Sequence, residues 1–497
     1  MKLELHPRAR QTLADQLFAA GVEFPCGGDR ACGGCKVRVL EGEVPVTATM
    51  RDALSEKEIG DGWRLGCCAS AADRVVVEVE QWSLRVFTDD ASVPIEPRAG
   101  RGAVIDLGTT TLVVQVVDLS SGEILRVETA LNPQARYGAD VMSRLQYDLR
   151  RPGKLGRLIR QTLGRMLGGE PLREVLVAGN TAMHHLFCGL DVEPLTHAPF
   201  VSPTLDARRF EPADLGWPGP VEFLPCLGGF VGSDVLCGIV ATRLDEQTQP
   251  HALFDIGTNG EVVVGSQQGI VYASTAAGPA FEGGRIGVGM RAGTGAIDAV
   301  HVRDGALDCH VIGGAAARGI CGSGLVDAAA CGLELGLIGA NGRLTSVDKR
   351  LPLADGISLT QSDIRELQLA KGAMAAGLRM LAGGGVEKLY LAGAFGNYIR
   401  QTSARAIGLL PEDLAVESVG NSALRGARAL LLAPSTRQAR LRKIAALSRH
   451  VELAANPDFQ YLYASMMALA RYGLSPNPDG TAIAIRNPAP HVPAERV

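Results

Sequence analysis

The stretch RGAVIDLGTTTLVVQVVDL, residues 101–119, carries an apolar strand into Asp106, turns through Gly108, Thr109, Thr110 and Thr111, and leaves as a second β-branched strand. The pattern returns in HALFDIGTNGEVVVG, residues 251–265, with Asp255, Gly257, Thr258 and Asn259 at the matching places. One such hairpin is an ordinary tight turn. Two, each between apolar strands, point to an internal duplication. In each, glycine lets backbone amides approach phosphate oxygens and the hydroxyls donate to them. The strand-end aspartate can hold Mg2+ through water. Two such hairpins can clamp one triphosphate from both sides, so the reading expects ATP and Mg2+.

A third element fits. Lys388–Ala392 reads as a buried strand, followed by Gly393-Ala394-Phe395-Gly396-Asn397, a glycine turn that can admit an adenine ring against the backbone. Helical patterns at Lys154–Leu167 and Ile364–Leu381 surround these strands. In GNTAMHHLF, residues 179–187, a glycine turn opens a helix; His184 and His185 there are read as packing or capping residues before ligands. GICGSGL, residues 319–325, opens an apolar helix whose amides could hold an anion or serve packing alone. Glu282, in GPAFEG, either lines a site or is solvated.

The N-terminal part is a different kind of chain. Residues 1–97 carry 11 Lys and Arg against 16 Asp and Glu, a net of −5, so the remaining 400 carry +1. Within it lies PCGGDRACGGCKV, residues 25–37, and then RLGCCAS, residues 64–70. Cys26, Cys32 and Cys35 are spaced C-x5-C-x2-C, with a fourth cysteine far downstream. Three clustered cysteines and one distant one is the plant-type ferredoxin arrangement of a [2Fe-2S] cluster, and the longer first gap resembles the adrenodoxin-like variant. Glycines 27, 28, 33 and 34 let the loop fold over the metal. Zinc is the competing occupant, but it would prefer two CxxC-like pairs or a histidine. Cys67 and Cys68 are adjacent; Cys67, after Leu65 and Gly66, is the preferred fourth ligand and Cys68 the alternative. Cys188, Cys226, Cys237, Cys309, Cys321 and Cys331 have no mutual ligand spacing and read as small buried hydrophobes.

Length, composition and charge set the frame. The 497 residues allow several domains; 46% are hydrophobic and 21% charged, as in an average globular chain. Glycine is high, 61 residues or about 12% against a usual ~7%. A net charge of −4 argues against a general nucleic-acid binder. No window reads as a membrane span or secretory signal, so the cytoplasm is expected. The expected organisation is α+β and α/β multidomain: a [2Fe-2S] ferredoxin domain (1–87) that by its resemblance to ferredoxins would be a β-grasp, a linker (88–100), two lobes (101–250, and 251–474 with a return to the first lobe) that by the resemblance of their hairpins would form an actin-like (ribonuclease H-like) ATPase, and a loose Pro-rich tail (475–497).

The paired hairpins, with Lys388–Asn397, resemble the acetate/sugar kinase, heat-shock chaperone and actin superfamily, in which the lobes would hinge near residues 176–183. Read together with the cysteine set, the DLGTTT and DIGTNGE loops, GNTAMHHLF, GPAFEG, GICGSGL and LAGAFGNYI (391–399) make the chain resemble the reductive activators of corrinoid proteins over about residues 20–470. That resemblance implies ATP-driven transfer of an electron from the cluster to an inactive Co(II) corrinoid protein of a methyltransferase system. The product is Co(I), and an upstream electron donor recharges the cluster. It implies phosphate and Mg2+ contacts from Asp106, Gly108, Thr109, Thr110, Asp255, Gly257, Thr258 and Asn259, with Asp106, Asp255, Thr109 and Thr258 as the catalytic set. Gly393, Phe395, Gly396 and Asn397 would flank adenosine, and Cys26, Cys32, Cys35 and Cys67 would hold the cluster. A homodimer is allowed. Longer members carry an extra small domain after the ferredoxin module; with about 14 residues between Phe87 and Arg101, it is expected to be absent here. Two other readings stay open: an ATP-driven reductase of another metalloenzyme, and an Fe–S redox-regulated kinase or binding protein. The kinase reading is weakened because Asp255 is the one evident acid near the second loop.

Overall fold

The computed structural model describes residues 2–6, 12–19, 35–79, 94–138, 140–257, 260–354, 356–383 and 385–474. Two six-stranded sheets form its centre. The first runs in the order Ile124–Leu131, Thr111–Asp118, Arg101–Leu107, Val175–Gly179, Val221–Phe223, Arg208–Phe210. The second runs Gly269–Thr275, Gly260–Ser266, His251–Ile256, Lys388–Ala392, Ala415–Gly420, with Ser448–His450 added beside Gly269–Thr275. Counted along the chain, the first five strands in each of these orders are 3-2-1-4-5. The 3-2-1 part is antiparallel and the 1-4-5 part parallel in both. The duplication written in the two hairpins is therefore a duplication of topology. Strands covered on both faces must be apolar throughout, and Val104, Ile105, Leu176, Val177, Leu253 and Leu389 are all fully buried.

Helices cover these sheets. Lys154–Leu167 matches its expected bounds and buries Leu155, Ile159, Leu163 and Leu167, one per turn, each contributing roughly 1.5–3 kcal/mol by leaving water. The expected helix at 364–381 extends to Gln361–Ala382, because Thr360 and Asp363 form a capping box one turn earlier. The two halves meet where the helix Ser233–Thr242 crosses Ser422–Leu432. A Cβ on Gly426 would lie 1.9 Å from the carbonyl oxygen of Cys237, so only glycine allows this approach. The string 176–183, expected at the junction of the lobes, lies instead in the middle of the first sheet and the helix behind it.

At the N-terminus an antiparallel sheet in the order Lys2–Leu5, Val75–Glu78, Lys36–Glu41, Trp63–Leu65 packs on Leu17, Met50 and Leu54. Half of the expected linker is described, and it is fastened down. Glu96 donates its amide to Leu432 and accepts from Ser435, and Arg98 donates to the Leu431 carbonyl. No helix among the described residues is long and apolar enough to cross a membrane.

Candidate functional site

Strand register brings the acids together. Asp106 pairs with Val113 and Ala178; Asp255 occupies the equivalent place, between Glu261 and Ala392. Both aspartates are half-buried near strand ends, and the loss of water around each carboxyl pushes it up to about 6. The field of Asp106 adds to the rise at Asp255, whereas a hydrogen bond from Asn421 opposes it at Asp106. Asp234 joins them from the first turn of Ser233–Thr242 and is pushed up to about 7, by burial and then by Asp255. Glu261 is raised as well, by burial and then by Asp234 and Asp255. Four carboxylates held this close need a cation or protons between them. Among the described residues no three His, Cys, Asp or Glu side chains close on one point as a metal cage.

Three asparagines brace the first hairpin, each in the same way. Asn132 accepts from the amide of Gln134 and donates to the Gly108 carbonyl. Asn180 accepts from Met183 and donates to the Thr109 hydroxyl across 2.9 Å. Asn421 accepts from Leu424 and donates to Asp106 across 2.8 Å. One oxygen caps a local turn while the amide nitrogen fixes a loop atom, so the loop is held from three elements. The buried Arg144 adds a fourth tie, donating to the carbonyls of Thr109 and Gly138.

Three glycine-rich strings converge in the second half. Phe281 of GPAFEG stacks on Phe395 of LAGAFG with centroids 4.7 Å apart. A Cβ on Gly322 of GICGSG would sit 1.9 Å from the Phe281 carbonyl. Gly393 adopts φ +86°, and its missing Cβ would lie 2.7 Å from the Ile256 carbonyl and 3.1 Å from Asp255. The turn after Lys388–Ala392 thus lies directly against the strand end that carries Asp255.

In the N-terminal sheet, Lys36 pairs with Leu65, and the Gly66 amide donates to the Cys35 carbonyl. That register carries Cys67 to Cys35 although 32 residues separate them, and the Cys67 amide donates to the Cys35 sulfur at 3.4 Å. An amide aimed at a cysteine sulfur is what a cluster ligand needs to be stabilised as thiolate. The Cys67 and Cys68 sulfurs lie 3.7 Å apart.

Of the residues singled out in the sequence, Cys26, Cys32, Thr258 and Asn259 lie outside the described residues, and the Asn397 side chain does too. Asp106 lies within electrostatic reach of Asp255, Gly393 lies against Asp255, and Cys35 and Cys67 fall together. His184 and His185 are buried in the first half; His185 bonds the Asp191 carbonyl and Ser202, a packing role. Cys226, Cys237, Cys321 and Cys331 are buried, Cys188 and Cys309 partly so. Asp234, Glu261, Asn132 and Asn421 were not found by sequence reasoning, and Asp255 is not the only acid by the second loop. Their signal was present. Asp234 follows a glycine turn into an apolar helix, and the asparagines each stand one residue before a helical turn.

Comparison with known proteins places both parts of the chain in known families. The family model described as the 2Fe-2S iron-sulfur cluster binding domain matches residues 2–72. "RACo middle region" matches 101–247, and "C-terminal domain of RACo the ASKHA domain" matches 249–479. The chain is 35% identical to the corrinoid activation enzyme RamQ of Eubacterium limosum over 73% of this chain and 69% of that one. It is 28% identical to the [Co(II) methylated amine-specific corrinoid protein] reductase of Methanosarcina barkeri, over 73% of this chain and 76% of that one. A solved reductive activator for a corrinoid, iron-sulfur protein superposes with a TM-score of 0.67 at 25% identity, covering 94% of this chain and 97% of the other.

Proposed function

Since this chain belongs to the family of reductive activators of corrinoid proteins, we propose that its carboxylate cleft hydrolyses Mg·ATP while its cysteine pair, with Cys26 and Cys32, holds a [2Fe-2S] cluster. The protein is an ATP-hydrolysing iron–sulfur oxidoreductase that returns an inactive Co(II) corrinoid protein to Co(I). When bound, the cluster supplies one low-potential electron, near −400 mV for plant-type centres.

The physical problem is thermodynamic. Each ~59 mV of uphill one-electron transfer costs about 1.4 kcal/mol. Nucleotide turnover can offset this only if the protein binds the two states of its partner differently. Closing two lobes around a nucleotide supplies the two-state element.

Roles follow from the geometry. Asp106 and Asp255 would hold Mg2+ through water. The Gly108–Thr110 turn, fixed by Asn132 and Asn180, would donate amides and hydroxyls to phosphate. Gly257, Thr258 and Asn259 would do the same from the other side. Gly393, Phe395, Gly396 and Asn397 would flank adenosine. Asp234, brought beside Asp106 and Asp255 by the start of Ser233–Thr242, would share the charge of the same cation. We place the protein in the cytoplasm, recharged by an upstream donor.

The observation that carries the redox half is the Cys67 amide donating to the Cys35 sulfur, in a chain whose other end bears the duplicated hairpins. The test is anaerobic ATP hydrolysis with and without a Co(II) corrinoid protein. Stimulation by that protein is expected; an unchanged rate together with no Co(I) would overturn the reading.

A further inference from the structure

The N-terminal module touches both halves of the ATPase, and the two contacts differ in kind. On the first half, Ala135 packs against the module's own apolar core. On the second half, the guanidinium of Arg318 lies over the ring of Trp63, 4.8 Å from its centroid. The carboxylates of Glu58 and Glu78 in the module also attract Arg318. Trp63 opens the strand that ends at Leu65, two residues before Cys67.

The first contact is wired to the nucleotide loop. Ala135 belongs to the turn Pro133–Tyr137. Just before it, Asn132 donates its backbone amide to Thr110 and its side chain to Gly108, each across 2.8 Å. Just after it, the Gly138 carbonyl accepts from Arg144, the side chain that also holds Thr109. The segment 132–138 is thus clamped to the phosphate loop at both ends while its middle bears the iron–sulfur module. The Gln134 side chain within it is fully buried, and among the described residues neither its oxygen nor its nitrogen has a hydrogen-bond partner. An arrangement that leaves such a group unsatisfied is one that a shift of the segment can relieve.

The second contact has its own support. Arg318 immediately precedes the short strand Gly319–Ile320, which leads into the helix start at Gly322, packed against Phe281 and Phe395. Its amide donates to the Gly295 carbonyl, and the missing Cβ of Gly295 would meet the Arg318 side chain at 2.8 Å. The guanidinium is therefore presented from a fixed base. A planar, weakly hydrated cation stacks on an indole face better than an ammonium does.

We propose that Ala135 and Arg318 are the two footings by which the nucleotide state of the ATPase sets the docking of the iron–sulfur module, Arg318 being the positioning residue. Footings on two lobes fit together at one interlobe angle only. A nucleotide that changes that angle must strain or release one of them, and the 132–138 segment passes the change directly from the phosphate loop. The module's cysteine face is then offered to, or withheld from, an electron acceptor according to which nucleotide is bound. This rests on the activator reading for its purpose, but not for its detection.

Hydrogen exchange on the full-length, cluster-loaded protein tests it without any corrinoid protein. Peptides covering 60–68 and 312–320 are followed in Mg·AMP-PNP and in Mg·ADP. In the wild type, exchange at 60–68 is expected to differ severalfold between the two nucleotides. In Arg318→Ala it should be fast in both, while peptide 104–112 still responds to nucleotide and basal ATP hydrolysis is kept. Arg318→Lys should recover only part of the protection. Identical exchange at 60–68 in wild type and Arg318→Ala would overturn the proposal, as would a nucleotide response that survives in Arg318→Ala. Neither outcome touches the activator reading, which stands or falls on Co(I) formation.

Discussion

The side-chain amide of Asn421 donates to Oδ2 of Asp106 across 2.8 Å, although 315 residues separate them in the chain. Asn421 follows the last long strand of the second sheet and caps the helix Ser422–Leu432, whereas Asp106 ends the first strand of the first sheet. One side chain thus ties the far end of the chain to the first phosphate loop. Asn421→Asp keeps a capping oxygen but loses the donor and faces Asp106 with a like charge. The expected outcome is a folded protein whose ATP hydrolysis falls about 10²-fold. Its pH–rate profile should move to higher pH. An unshifted profile with a wild-type rate would contradict the role given to Asn421.

The crowded carboxylates make stability depend on pH with a definite sign. Asp106, Asp234 and Asp255 all bind protons more tightly in the folded protein than in the unfolded chain. Protonation therefore favours the folded state, and that contribution is lost as pH rises from about 4 through about 7. Asp234→Asn removes a carboxyl pushed up to about 7 by burial and then by Asp255. Without metal or nucleotide, the variant should gain on the wild type as pH rises, by on the order of 2–4 kcal/mol at pH 8. Urea unfolding from pH 4 to pH 8 reads this directly. A difference that does not change with pH would show that Asp234 does not share the cluster's charge.

Cys67 and Cys68 can be separated by single substitutions. Because the Cys67 amide points at the Cys35 sulfur, Cys67→Ser is expected to lose iron and visible absorption. Cys68→Ser should retain both. The reverse pattern would move the fourth ligand by one residue.

Gly322 and Gly393 test the adenosine side. A Cβ at Gly322 meets the Phe281 carbonyl at 1.9 Å, and one at Gly393 meets the Ile256 carbonyl at 2.7 Å in a left-handed turn. Alanine at either should weaken AMP-PNP binding by at least tenfold in calorimetry. Gly336→Ala is the control: φ is +68° there too, but nothing lies within 4 Å of its missing Cβ. It should cost only the roughly 1–2 kcal/mol of backbone strain and leave affinity unchanged.

Much of this was legible in the sequence because some groups carry their context with them. The two Asp-x-Gly-Thr hairpins announce strand, turn and strand within fifteen residues, and the 3-2-1-4-5 topology repeats as they do. Lys154–Leu167 reads correctly because its apolar positions recur at every turn. What stayed hidden depends on contacts across the fold. Asn421 looks like any helix cap until Asp106 is beside it. Asp234 looks like a solvated first-turn acid until Gly232 lets its helix close on Gly179 and Asn180, where a Cβ would sit 2.1 Å from the Gly179 carbonyl. A glycine turn before a helix occurs at both 179 and 232, so the sequence alone does not tell which of the two lies where the halves cross. Only packing tells which helix crosses its counterpart.

The central claim is that nucleotide turnover drives one electron from the N-terminal sulfurs to a corrinoid. Anaerobic mixing of the reduced, cluster-loaded protein with its Co(II) corrinoid protein, followed by absorption spectroscopy, tests it most directly. Co(I) bands should rise with Mg·ATP, stay absent with ADP, and be abolished in Cys35→Ser while Cys68→Ser still supports them. Co(I) forming equally fast without ATP, or with Cys35→Ser, would contradict the account.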